Sequence, residues 1–231
     1  MVGMDADQVA ALSALLGPSG WMEQTREFAR ALRVSTRSPG GLLLVGTPDD
    51  EPWHLTAHLD DESRLAGIPE LMPTLVRWSP PPDAPPHLRV GLARLEAARR
   101  GETLFVVTED TAPVPLLERV SDARRVGATI LALDCGNDPE LEGLAHETLA
   151  VPALSSGSPA SSGVSPVSPR SSVDEADLAG RMGLLTFDAA QHLVSAAAGE
   201  RDSRDQSGPR GKRGLRDRVA RLLDIVSGPP A

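Results

Sequence analysis

Two turns in this 231-residue chain carry the residue types that handle ligands at the ends of β-strands. Gly46-Thr47-Pro48-Asp49-Asp50 follows the aliphatic run LLLV, and Thr108-Glu109-Asp110-Thr111-Ala112-Pro113 follows TLFVV. A turn from a buried strand into a helix ordinarily suits an anion, because N–H groups and the positive end of the helix dipole converge there. These two turns instead hold Asp49, Asp50, Glu109 and Asp110, and their prolines lack an N–H. Two like charges about 4 Å apart cost about 1–4 kcal/mol in water-like to surface-like surroundings, so a phosphate is disfavoured. Gly46, Thr47, Asp49, Asp50, Thr108, Glu109, Asp110 and Thr111 are therefore the candidate ligand-binding residues. A cationic or hydroxyl-rich ligand or a divalent ion would suit them. The alternative is that the acids simply cap helices, where the dipole favours them.

His54 and His58 stand one helical turn apart in WHLTAHLDDE, so both rings could face one metal with Asp50 or Asp61 nearby. No cysteine partner or HExxH pattern accompanies them, and the reading is a pair of helix histidines with no metal site expected. His146 falls on a short helix, His192 on a late one, and Cys135 directly after a strand, where it reads as a small core residue. No catalytic residue is assigned, and nothing in the pattern calls for a cofactor.

The elements that must position these residues alternate in type. GLLLVG (41–46), TLVRW (74–78), TLFVVT (103–108), ATILALD (128–134) and TLAVP (148–152) are short aliphatic runs of the kind buried on both faces of a parallel sheet. Between them lie stretches with helical periodicity. These are the segment after PDDEP, HLRVGLARLEAARRG with Leu88, Leu92 and Leu95 on one face, PLLERVSDARRVG with Leu116, Leu117, Val120 and Ala123 inward, and PELEGLAHE. Strand–helix alternation predicts an α/β fold: a three-layer sandwich with a parallel sheet of about five strands and right-handed crossovers. Two short helices, split by GPSG at 17–20, precede it over residues 5–32.

The expected organisation is 1–38 as N-terminal helices, 39–153 as the α/β domain and 154–180 as a Ser/Pro-rich disordered insert. It continues with 181–200 as a helix returning to the domain, 201–211 as a linker and 212–231 as a basic amphipathic helix. The insert is read from nine serines and three prolines in residues 155–172. In the last helix Leu215, Val219, Leu222, Leu223 and Val226 form an apolar stripe opposite arginines that include Arg213 and Arg216, which suits docking on its own domain or on a partner protein. Its acids and its lack of Trp or Phe suit a lipid surface less well.

The formal charge of -9 argues against general nucleic-acid binding. The single cysteine fits a reducing compartment. No stretch approaches the roughly 20 apolar residues of a membrane span, and MVGMDADQ lacks a secretory pattern, so a cytoplasmic location is expected. Arginine is used almost to the exclusion of lysine, which points to a GC-rich bacterial genome.

The run from Val107 through Ala123, Arg124, Gly127 and Ala128 into TILALD resembles the sugar isomerase (SIS) domain. In that family an aliphatic-Ser-x-Ser-Gly-x-Thr turn leads to a helix with Ala-Lys-x-x-Gly-Ala before a strand. Pro139, Leu141, Leu144, Ala145, His146, Leu149 and Val151-Pro152 continue the resemblance, which spans about residues 41–153; a flavodoxin-like relative is the rival fold. The resemblance implies phosphosugar binding, a homodimer through the helices, and a late helix, here bearing His192, that reaches a neighbouring site. The signature itself is altered. Thr108 stands for the first serine, Asp110 for the second, Thr111 for glycine and Pro113 for threonine. The expectation is a degenerate, non-catalytic SIS-like domain that senses a ligand or binds a protein partner. The alternative is a phosphosugar (aldose–ketose) isomerase or a related enzyme acting on a carbohydrate derivative.

Overall fold

Five parallel strands, β1 (Leu42–Val45), β2 (Pro73–Leu75), β3 (Thr103–Val107), β4 (Thr129–Asp134) and β5 (Glu147–Ala150), form one sheet in the order β2-β1-β3-β4-β5. The computed structural model describes residues 20–151 and 186–200. The expected first helix near the N-terminus, the Ser/Pro-rich insert, the linker and the basic amphipathic helix lie outside the described residues. The expected α/β class with a five-stranded parallel sheet is what the chain adopts.

All four residues of β1 and all five of β3 are buried, which explains why both read as unbroken aliphatic runs. Alternate side chains serve opposite layers. Leu42, Leu44, Phe105, Val107, Leu131, Leu133 and Leu149 face helices α1 (Trp21–Ser35), α2 (Trp53–Ala66) and α6 (Phe187–Ala198). Leu43, Val45, Leu104, Val106, Ile130 and Ala132 face α3 (Ala93–Glu96), α4 (Val114–Arg125) and α5 (Pro139–Leu144). On α4 the four residues expected inward, Leu116, Leu117, Val120 and Ala123, are the buried ones. Its end is set by Gly127 at φ 94°, with the Ala128 N–H donating to the Ala123 carbonyl at 3.0 Å; a side chain at Gly127 would be strained.

Helix α6 packs against α1 and α2. Thr186 caps it by accepting the Ala189 N–H, and every residue of the helix except Asp188 is buried. Its alanines let the neighbouring helices approach closely. Arg33 of α1 donates to the Ala197 carbonyl at 2.7 Å, joining the Glu200 N–H, which reaches the same carbonyl at 3.2 Å, in closing the C-terminal end of α6. Among the described residues no helix is long and apolar enough to cross a membrane.

One expected element is not there. HLRVGLARLEAARRG is not a helix with Leu88, Leu92 and Leu95 on one face. It is a single 3-10 turn (Pro86–Leu88), an extended piece through Gly91 and the one-turn α3, and only Leu95 is fully buried. Tertiary pairing outweighs the periodicity. The Arg77 N–H donates to the Val90 carbonyl at 2.8 Å in a parallel bridge to Gly91, and Gly91 and Pro86 weaken any competing helix.

Candidate functional site

The pairing of β1 with β3, Val45 opposite Val106, places the turns after these strands side by side at the carboxyl edge of the sheet. This is the point where the strand order reverses, the usual ligand crevice of a doubly wound sheet. The eight residues expected to bind ligand are therefore brought together, with Asp49, Asp50, Glu109 and Asp110 exposed.

The first turn is closed on itself. Thr47 donates its N–H to the Asp50 carbonyl, and the Asp50 N–H donates to Thr47 Oγ1, both at 3.1 Å. Gly46 is required by packing, because a Cβ there would lie 2.1 Å from the Asp50 carbonyl oxygen. Its own carbonyl accepts Trp78 Nε1–H at 2.8 Å. Glu51 secures the flank by accepting from Arg77 Nε at 2.9 Å and from the Trp78 N–H at 3.0 Å.

The second turn is bound by the chain's own oxygens. Thr108 is buried, gives its N–H to the Leu133 carbonyl and its hydroxyl to the Asp110 carbonyl. In the turn just before α4 the Ala112 N–H donates to Asp138 Oδ2 at 2.7 Å, while Asp138 Oδ1 caps α5 by accepting the Leu141 N–H at 2.9 Å. Pro113 and Pro115 bring no donor to that helix start. The neighbouring strand end adds Asp134, whose carboxyl is raised above its ordinary value by burial, against a lowering bond from the Gly136 N–H. Cys135 is partly buried, and burial followed by Glu109, Asp134 and Asp110 pushes its thiol up to about 11. Little of it is thiolate at neutral pH, which makes it a poor nucleophile.

Behind the first turn, α2 and α6 gather three histidines. His58 and His192 meet edge to face with ring centroids 4.4 Å apart. His54 Nδ1 lies 3.6 Å from Asp188 Oδ1, and His192 Nε2 lies 4.0 Å from the same oxygen. Burial, reinforced by His192 and His54 and opposed by Asp61 and Asp188, lowers His58 to about 4. His192 is lowered by burial against the raising influence of Asp188, with His54 lowering it further. Both are neutral at pH 7.

The expected companions of His54 and His58 were Asp50 and Asp61. Asp61 does act on His58, whereas the carboxylate beside His54 Nδ1 is Asp188 of α6, at 3.6 Å. His146 is structural, its Nδ1 accepting the Ile130 N–H at 2.9 Å between β4 and β5. Asp138 was legible as an acid before Pro139, a helix-start pattern. Nothing local marked Asp134 or Asp188.

Strand order and layers define a doubly wound α/β domain with its crevice between β1 and β3. No protein-family model matches the chain, and no curated protein is significantly similar to it. Among solved structures it is similar to a candidate phosphosugar isomerase from Silicibacter pomeroyi DSS-3, with 16% identity, TM-score 0.46 and coverage of 96% of this chain and 54% of that one. It is also similar to a candidate sugar-binding protein from Salmonella typhimurium LT2, with 12% identity, TM-score 0.38 and coverage of 88% and 54%. The chain spans about half the length of each of these structures.

Proposed function

We propose that this is a SIS-like domain without phosphosugar anchorage, serving as a ligand-sensing or protein-interaction module in a bacterial cytoplasm. One observation carries the reading: the Ala112 N–H, in the turn just before α4, is taken by Asp138, a carboxylate of the chain itself. An incoming phosphate would have to displace that carboxylate and also face Asp49, Asp50, Glu109 and Asp110 across the crevice. The same acids suit an amine-bearing or hydroxyl-rich carbohydrate derivative. The domain is proposed to dimerise through its helices and to engage a partner through Arg213, Leu215, Arg216, Val219, Leu222, Leu223 and Val226.

Thermal-shift titration separates the readings, because a ligand that binds only the folded state raises apparent stability. Aldose and ketose phosphates should leave the melting temperature unchanged, and the chain should show no isomerisation of them. Turnover that disappears on substituting the strand-end acids would overturn the proposal. It would instead favour the isomerase reading, for which the neutral imidazoles of His58 and His192 are the supporting observation.

A further inference from the structure

Helices α4 and α5 enclose a trough on the face of the sheet opposite α6. Val114, Leu117, Glu118 and Asp122 recur at helical spacing and so share one side of α4; with Glu140 and Gly143 of α5 they line a space of about 710 Å³ open to solvent. Val114 is 64% exposed there. A glycine inside a helix costs up to about 1 kcal/mol relative to alanine, yet a Cβ at Gly143 would meet nothing within 4 Å. The rim is acidic. Asp122 pairs with Arg125 at 2.7 Å, Arg119 turns to Glu96 and Arg124 donates to the Gly143 carbonyl. Glu118 and Glu140 are exposed and form no ion pair among the described residues.

We propose that this trough is the docking site of the chain's own basic segment, residues 212–231, held in cis. The proposal rests on the reading of that segment as a docking helix and adds the surface it docks on. As a helix, Leu215 to Val226 would span about 17 Å, the same length as α4 from Val114 to Arg125. Its aliphatic stripe supplies the anchors of a helix-in-groove contact, with Val114 and Leu117 as the apolar floor. Charge favours the same pairing. Residues 208–231 carry six basic side chains against Asp217 and Asp224, a charge of +4 that leaves −13 of the total −9 to the rest of the chain. From Glu200 to Lys212 the chain can extend about 40 Å, close to the diameter of about 38 Å expected for a domain of this size, so the segment can pass from the α6 layer to the opposite one. A short tether also holds it at about millimolar effective concentration, which fills even a weak site. Docked in this way the stripe is covered, and a partner protein has to displace it.

The test is amide hydrogen exchange of the full chain, read by mass spectrometry against a synthetic peptide of residues 208–231. A helix this short is marginal by itself, so protection reports docking. Amides of residues 215–226 should exchange at least about tenfold more slowly in the chain than in the peptide, equally at protein concentrations about a hundredfold apart. Gly143→Leu fills the trough from an exposed position and improves helix propensity, so it should keep the melting temperature while returning those amides to the peptide's rate. Glu118→Arg with Glu140→Arg should weaken the protection, and adding Arg216→Glu with Arg218→Glu should bring part of it back. Exchange at the peptide's rate in the wild type overturns the proposal and leaves the stripe to a partner protein. Protection that grows with protein concentration marks a second copy of the chain, and protection retained by Gly143→Leu marks a different surface; each of these overturns it too.

Discussion

Acidification should destabilise this domain through His58 in particular, and the size of the effect follows from its burial. In the unfolded chain the imidazole titrates near 6.5, whereas in the fold it is lowered to about 4 by burial and by His192 and His54. Between these values the unfolded state binds more protons than the folded one, so unfolding free energy rises with pH. The contribution is fully present above pH 6.5, is lost as pH falls towards 4, and changes no further below that. At about 1.4 kcal/mol per pH unit this amounts to at most about 3–4 kcal/mol. That is a large share of the roughly 5–15 kcal/mol typical of a domain. Urea denaturation of the wild type and of His58→Leu at several pH values between about 7.5 and 4 measures it. Carboxylate titrations are common to both proteins, so the difference in slope isolates His58. The wild type should lose stability more steeply as pH falls. Equal slopes would refute the claim that His58 is buried neutral at this seam.

Three further outcomes test the strand-end turns. Gly46→Ala should cost about 1–3 kcal/mol in chemical denaturation, because its Cβ would sit 2.1 Å from the Asp50 carbonyl oxygen. Asp138→Ala removes the acceptor for both the Ala112 and Leu141 N–H groups and should cost about 1–3 kcal/mol. It should also give the turn a measurable thermal shift with inorganic phosphate, and the wild type should show none. Cys135, raised from 9.0 to about 11, should react with iodoacetamide at neutral pH about a hundredfold more slowly than the same thiol in the unfolded chain. Neutralising Glu109 and Asp110 should restore part of that rate.

Much of the sheet was legible because burial on both faces leaves no polar alternation to confuse a short aliphatic run, as in LLLV and TLFVV. The Gly127-Ala128 junction was legible for a similarly local reason, since a left-handed stop needs glycine. The stretch from His87 to Gly101 was not. Leu88, Leu92 and Leu95 keep helical spacing, yet a hydrogen bond from Arg77 to Val90 holds the segment extended. The strand-end acids could be paired from the repeat of strand and turn. The use of Asp138 as an internal anion for the α4 turn could not, because it depends on how close β4 and its turn lie to β3.

The amino-acid order alone determined the α/β class, the run of strands, and the gathering of Asp49, Asp50, Glu109 and Asp110 in two strand-end turns. These are local properties, set by burial period, proline geometry and charge. Tertiary structure alone decided that Asp138 occupies the Ala112 donor. It alone also set Asp188 and His192 of α6 against His54 and His58 of α2. Those pairings depend on the packing of elements far apart along the chain, and no local spacing encodes such contacts.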